Sequence, residues 1–123
     1  MRPLVYIAGP ITKGPIDHNI RQANEAMVAL MRAGIAPFNP MLSCFTGYPE
    51  CKGPEVTPRG TTHEDWYGMD LPWVAVSHAV LRLPGESRGA DGEVAHAQEN
   101  GIPVFYSVEA VVNYFRKAEA IPA

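Results

Sequence analysis

Two acidic side chains, Glu93 and Asp70, are the groups in this sequence best suited to chemistry. Glu93 follows a turn-rich segment, residues 84–90. A helix that begins at Ala90 would hold Glu93 in its first turn, where the positive end of the helix dipole favours an ionised carboxylate. An ionised carboxylate aimed at a ligand site can act as a nucleophile. The alternative is that an acid in a first turn only stabilises its helix.

Asp70 is the second candidate because of its neighbours. Trp66, Met69 and Trp73 give the surrounding segment a largely apolar character, and an acidic residue on an apolar helix face is unusual unless it is solvated. The alternative is that Asp70 lies on the solvent side of the helix, opposite the apolar stripe. The sequence leaves both interpretations open.

Apolar runs alternate with helical periodicity along the chain, and this pattern predicts the elements that must position these acids. The predicted strands cover residues 4–8, 35–38, 79–83 and 102–106, and the predicted helices cover residues 17–33, 61–76, 90–100 and 108–118. Pro72 is expected to kink or split the second helix. The alternation favours an α/β fold: one domain over residues 1–123, doubly wound and Rossmann-like or flavodoxin-like, with a mainly parallel sheet of four to five strands flanked by helices.

A ligand site is expected where the strand order reverses, at the carboxyl ends of the strands. If the order is 2-1-3-4, that point lies between the first and third strands. The segments that leave these strands are residues 9–14 and 84–90, and both are rich in turn residues and hydroxyls. Neither matches a dinucleotide fingerprint or a phosphate-binding P-loop, so the architecture predicts the place of the site and not its reaction.

Three segments in the same order resemble the nucleoside 2-deoxyribosyltransferase superfamily. They are VYIAGPIT at residues 5–12, WYGMD at residues 66–70 followed by an apolar strand, and SRGADGE at residues 87–93. The small phage and bacterial members and the related deoxynucleoside 5′-monophosphate N-glycosidases share this layout. The resemblance covers nearly the whole chain except residues 41–60, which we interpret as a lid-like loop over the site.

The resemblance implies a role for each matching residue. Glu93 would be the nucleophile that attacks the anomeric carbon of a deoxyribose, and Tyr6 would hydrogen-bond and orient that carboxylate. Asp70 would donate a proton to the leaving base or position it. The implied substrate-binding residues lie in the two loops, where they would hold the sugar and its 5′ hydroxyl or phosphate: Gly9, Ile11, Thr12 and Lys13 in the first, and Ser87, Gly89 and Ala90 in the second.

These roles imply cleavage of the N-glycosidic bond of a 2′-deoxynucleoside or its 5′-monophosphate through a covalent deoxyribosyl–Glu93 intermediate, followed by transfer to another base or to water. The alternative is a non-catalytic nucleotide-binding or sensing module with the same pocket. One departure concerns the first loop, where the monophosphate enzymes tend to carry an arginine and this chain has Thr12 and Lys13.

Composition narrows the class further. The net charge of −3 leaves no overall basic surface for nucleic acid, and no apolar run approaches the length of a membrane span. Cys44, Cys51 and His63 match no common zinc spacing, so we expect no metal and no cofactor. Two cysteines and no signal-peptide pattern favour the cytoplasm. The family resemblance implies a homodimer or a larger homo-oligomer that acts on a small nucleoside or nucleotide.

Overall fold

The computed structural model describes residues 1–11, 13–40 and 62–120. Within these residues, four strands alternate with four helices and form one all-parallel sheet in the order β2-β1-β3-β4. The doubly wound α/β fold predicted from the sequence is therefore confirmed, and the strand order is the 2-1-3-4 that the placement of the ligand site assumed. The elements are β1 (Leu4–Ala8), α1 (Ile16–Arg32), β2 (Ala36–Phe38), α2 (His63–Val76), β3 (Ala79–Arg82), α3 (Arg88–Glu99), β4 (Val104–Phe105) and α4 (Val108–Ala120).

Strand β1 lies between two neighbours and is buried on both faces, which explains its unbroken apolar sequence. Val5 and Ile7 point to the layer of α1 and α4, where they pack in one core cluster with Leu30. Tyr6 and Ala8 point to the opposite face and belong to the cluster beneath α2 and α3. The alternation along one strand therefore delivers a tyrosine hydroxyl to the face covered by α2 and α3.

Helices α2 and α3 begin at well-defined caps. The Thr62 hydroxyl accepts a hydrogen bond from the Asp65 amide at 3.2 Å, and the Asp65 carboxylate accepts one from the Thr62 amide at 2.8 Å, which is a capping box. The Ser87 hydroxyl accepts from the Ala90 amide at 3.0 Å and starts α3 at Arg88. The predicted start at Ala90 is two residues late, because the N-cap of this helix is Ser87.

Pro72 lies inside α2 without dividing it, since the helix is continuous from His63 to Val76. The predicted lid at residues 41–60 lies outside the described residues. Within the described part of the chain, no helix is both long and apolar enough to cross a membrane.

The loop after β1 is held by the buried side chain of Asn19, which is 3% exposed. Its amide donates to the carbonyl oxygens of Ile11 at 3.1 Å and Lys13 at 2.8 Å. One side chain from the first turns of α1 thus fixes the backbone of a loop that approaches the carboxyl edge of the sheet.

We expect Asn19→Ala to lower the free energy of unfolding by about 1–3 kcal/mol, because two partly buried carbonyl groups lose their donor. Urea denaturation measures the change. Asn113→Ala is the matched control, since Asn113 is an exposed residue on α4. Equal effects of the two substitutions would contradict the bracing role of Asn19.

Candidate active site

A tyrosine and two acids from three different elements meet on the face of the sheet beneath α2 and α3. The hydroxyl of Tyr6 on β1 donates a hydrogen bond to Oε2 of Glu93 on α3. Asp70 on α2 lies beside them, close enough for its charge and its hydrogen bonding to act on the pKa of Tyr6. Tyr6 is fully buried, Glu93 is 6% exposed and Asp70 is 8% exposed. The structure therefore brings together the three residues that the sequence predicts as catalytic.

Asp70 has an unused acceptor. Its Oδ1 is buried and has no hydrogen-bond partner within the described part of the chain. Because a buried polar atom without a partner costs free energy, this oxygen is available as an acceptor to a ligand or to a water molecule. The alternative that Asp70 is a solvated surface aspartate is wrong, since its side chain is buried.

Burial dominates the electrostatics of both acids. Desolvation raises the pKa of Glu93 to about 7, while the hydrogen bond from Tyr6 opposes the shift, the charge of Asp70 adds to it and the charge of Arg82 opposes it. Desolvation likewise raises the pKa of Asp70 to about 6, against the lowering effect of Tyr6. Burial, followed by the charges of Glu93 and Asp70, raises the pKa of Tyr6, so its hydroxyl stays protonated and remains a donor.

The expectation that a helix dipole holds Glu93 ionised is therefore wrong. With Ser87 as the N-cap, the first turn of α3 contains Asp91, and Glu93 lies in the second turn. At that position the dipole contributes little, because its effect fades beyond the first turn. Desolvation then sets the direction, and the pKa rises instead of falling.

Arg82, which the sequence analysis did not single out, fixes the turn that leads into α3. Its guanidinium donates to the carbonyl oxygens of Leu83 and Gly85 and to Oδ1 of Asp91, the last two at 2.9 Å and 3.1 Å. Its side chain is 11% exposed. The guanidinium also lowers the pKa of Glu93. The signal available in the sequence is a single arginine that ends an otherwise apolar strand.

The two predicted substrate loops pack against each other. A Cβ atom at Gly9 would lie 3.1 Å from Cβ of Leu83, and a Cβ atom at Gly85, where φ is +118°, would lie 2.7 Å from Cγ of Pro10. Gln22 also donates to the carbonyl of Pro84 at 3.1 Å. The space on one side of Gly9, a predicted substrate-binding residue, is thus filled by Leu83.

The remaining predicted binding residues lie at this edge. Lys13 forms a 3.8 Å ion pair with Glu86 between two exposed side chains, which joins the loops loosely. Ser87 caps α3, Ala90 is buried, and the carbonyl of Gly89 accepts a hydrogen bond from Tyr67 at 2.8 Å. Ile11 is partly buried against the α1 and α4 cluster. Thr12 lies outside the described residues.

The aromatic residues of α2 do not form one group. Trp73 is 52% exposed and stacks on Phe38 with ring centroids 5.7 Å apart, and Phe38 stacks in turn on Tyr6 at 5.6 Å. Tyr67 instead reaches across to α3. The stacked rings of Tyr6, Phe38 and Trp73 therefore extend from the site toward the β2 edge of the sheet.

No group of three or more metal-ligating side chains occurs among the residues that the structure covers. Cys44, Cys51 and the side chain of His63, which were considered as zinc ligands from their types, lie outside the described residues.

The described site consists of a buried carboxylate that accepts a hydrogen bond from a tyrosine and a second buried acid with an unpartnered oxygen. This arrangement is suited to attack by one carboxylate and proton donation by the other.

Comparison with known proteins supports the fold. A family model described as a domain of unknown function (DUF4406) matches residues 3–106. Among solved structures, the chain is similar to a 2-deoxyribosyltransferase from the psychrotolerant bacterium Bacillus psychrosaccharolyticus, with 18% identity and a TM-score of 0.60. The similarity covers 82% of this chain and 69% of that one. No curated protein matches the chain. At this identity, the comparison shows a shared fold.

The raised pKa of Glu93 gives a prediction for stability. Between its ordinary value of 4.5 and the folded value of about 7, the folded state binds more protons than the unfolded state. The free energy of unfolding must therefore fall as pH rises through that range, by about 1.4 kcal/mol for each unit that separates the two pKa values.

Asp70, whose pKa is raised to about 6, contributes to the loss of stability only below about that pH. Above pH 6 the loss comes from Glu93, and we expect Glu93→Gln to abolish it there. Urea denaturation at a series of pH values between 4 and 8 measures it. Glu99→Gln, an exposed residue on the same helix, is the control. A wild-type stability that rises between pH 6 and 7 would contradict the desolvation of Glu93.

Proposed function

The chain belongs to the family of domains of unknown function DUF4406, and we propose that this member cleaves the N-glycosidic bond of a 2′-deoxynucleoside or its 5′-monophosphate. The observation that carries the proposal is the hydrogen bond from Tyr6 to the buried carboxylate of Glu93, with the unpartnered Oδ1 of Asp70 beside it. A fold shared with a 2-deoxyribosyltransferase supports the substrate class.

Glu93 is the nucleophile in this mechanism. Its carboxylate attacks the anomeric carbon as the C–N bond breaks, and it captures the oxocarbenium-like sugar as a covalent ester. Tyr6 holds one oxygen of the carboxylate, so the other is directed to the sugar. A second base then displaces Glu93 in a transfer reaction, or water displaces it in hydrolysis.

Asp70 assists the departure of the base. A carboxyl group with a pKa near 6 holds a proton for part of the time at neutral pH, and its free Oδ1 is available to a ring nitrogen of the base. The proton leaves Asp70 with the base and returns from the incoming base or water. Since a general acid must be protonated, the burial that raises the pKa of Asp70 supports this role.

The two acids titrate as a pair, because each lies close to Tyr6 and the charge of Asp70 raises the pKa of Glu93. Without substrate, burial favours the protonated form of both acids. Attack requires Glu93 to be ionised while Asp70 keeps its proton. The positive charge that develops on the sugar favours ionised Glu93, and the ring nitrogen of the base favours protonated Asp70, so bound substrate moves the proton in the productive direction.

The loops at the carboxyl edge hold the rest of the substrate. In this proposal Lys13, Ser87 and the backbone at Gly89 and Ala90 hold the 5′ end of the sugar, and Gly9, Ile11 and Thr12 contribute from the first loop. A 5′-phosphate there would meet the amino group of Lys13 and the N-terminus of α3.

The active form in this proposal is a homodimer or larger assembly in the cytoplasm, as the sequence resemblance implies. Met69, Trp73 and Val76 supply exposed apolar surface on α2 that a second copy could cover. Size-exclusion chromatography with light scattering tests this part separately from the reaction.

Removal of the nucleophile is the central test. We expect Glu93→Gln to reduce release of free base from a panel of deoxynucleosides and their monophosphates by several orders of magnitude, because no group remains to capture the sugar. Chromatography of the base measures the rate, and intact-protein mass after acid quench detects a deoxyribosyl adduct in the wild type alone. Base release by Glu93→Gln at a rate close to wild type would exclude the covalent mechanism, and Glu99→Gln serves as the control.

Loss of the proton donor should depend on the leaving group. We expect Asp70→Asn to slow the release of poorly leaving bases by roughly 10²–10⁴-fold, the usual contribution of general acid catalysis. A nucleoside with an activated base should lose much less, because it needs no proton. Rates for both substrates are compared with Asp17→Asn, an exposed control on α1. Equal losses for the two substrates would exclude the general-acid role.

A further inference from the structure

We propose that Tyr67 is a positioning residue that sets the distance between Asp70 and Glu93 by locking α2 against the first turns of α3. The proposal rests on the proposed function, since it assigns Tyr67 to the cooperation of those two acids.

The contact joins a side chain on one helix to the main chain of the other. The Tyr67 hydroxyl donates to the carbonyl oxygen of Gly89 at 2.8 Å and lies 3.2 Å from that of Arg88. Tyr67 and Asp70 are three residues apart on α2, so they lie on the same side of that helix. Tyr67, which binds the main chain of α3, therefore lies in the same helical turn as Asp70.

Gly92 is the other half of the contact. A Cβ atom at position 92 would lie 1.9 Å from the Tyr67 hydroxyl oxygen and 2.8 Å from Cζ of the same ring. Any other residue at position 92 would force the ring or the helix to move. Gly68 on α2 differs, because a Cβ atom there would meet nothing within 4 Å.

The arrangement places Tyr67 next to Glu93 without making it a second partner of the carboxylate. Gly92 directly precedes Glu93, and after burial the charge of Glu93 is the largest influence that raises the pKa of Tyr67. The hydroxyl is directed to main-chain oxygens, whereas Tyr6 binds the carboxylate itself. Tyr67 thus acts on the reaction through helix spacing.

Loss of the Tyr67 contact should affect Asp70 more than Glu93. If α2 moves away from α3, Glu93 keeps its bond to Tyr6 on the sheet and can still capture the sugar. Asp70 moves with α2 and no longer reaches the leaving base. Loss of the lock should therefore resemble loss of Asp70 and not loss of Glu93.

The experiment compares Tyr67→Phe and Gly92→Ala with two matched controls, Tyr106→Phe at an exposed tyrosine and Gly68→Ala at an open helical glycine. Steady-state rates are measured for a nucleoside with a poorly leaving base and for one with an activated base. We expect both test variants to lose kcat mainly for the poorly leaving base, with little change in KM, and both controls to match wild type. A loss by the same factor for both substrates would indicate a merely structural role and overturn the proposal.

A second comparison guards against misfolding of Gly92→Ala. Because the clash is with the Tyr67 ring, removal of the ring should relieve it. We therefore expect Gly92→Ala to lower the unfolding midpoint much less when it is added to Tyr67→Ala than when it is added to the wild type. Independent, additive losses would show that the ring and position 92 are not in contact, and would overturn the proposal.

A measurement without substrate separates this proposal from the proposed function. Carbon NMR titration follows the Glu93 carboxyl, identified by the resonance that Glu93→Gln lacks. The groups that act on it are Tyr6, Asp70 and Arg82. In Tyr67→Phe we expect its pKa to fall toward the ordinary value, because a looser α2 admits water and takes the charge of Asp70 further away.

An unchanged Glu93 titration in Tyr67→Phe would overturn the positioning role even if the wild type is active. A wild type that releases no base from any nucleoside, but whose Glu93 pKa falls in Tyr67→Phe and stays constant in Tyr106→Phe, would reject the proposed function and support the lock.

Discussion

The hydrogen bond between the Tyr6 hydroxyl and the Glu93 carboxylate is the contact on which the candidate site depends. It joins the centre of the sheet to the middle of α3, and it requires β1 to lie next to β3. The order β2-β1-β3-β4 meets this requirement and places both loops that leave these strands at one edge. The helices bury the pair from above, so the tyrosine stays protonated and the carboxylate keeps one oriented oxygen.

Burial of two acids beneath the same helices works against stability. Desolvation raises both pKa values, and nothing in the described residues binds Oδ1 of Asp70. A protein selected only for stability would replace such acids with apolar residues of similar volume. Their cost is understandable if a ligand completes the site, because groups kept from water act strongly on the charge that develops in a reaction.

The sequence predicted the fold well and the electrostatics of the site poorly. Short apolar runs, three of them closed by glycine or proline, identified all four strands, while their order in the sheet was only assumed. The helix that carries Glu93 was predicted to start two residues late, which put Glu93 in the first turn and led us to expect an ionised acid. In the structure Glu93 lies beyond the first turn, and burial raises its pKa. Burial is a tertiary property, so no local pattern around Glu93 could give its direction. Tyr67 was missed as a contact because its partner, Gly92, lies on another helix.

Neither acid is positioned by its own helix alone. Glu93 depends on a tyrosine from β1, and Asp70 depends on how closely α2 approaches α3. Short motifs around each acid therefore say little separately, because the chemistry lies in the distances between three elements. A shared fold at 18% identity shows the arrangement of the sheet and helices, and it does not show which side chains meet at the site. Any reaction would depend on the side chains that meet there: a buried carboxylate that accepts a hydrogen bond from a tyrosine, and a buried acid whose Oδ1 has no partner among the described residues.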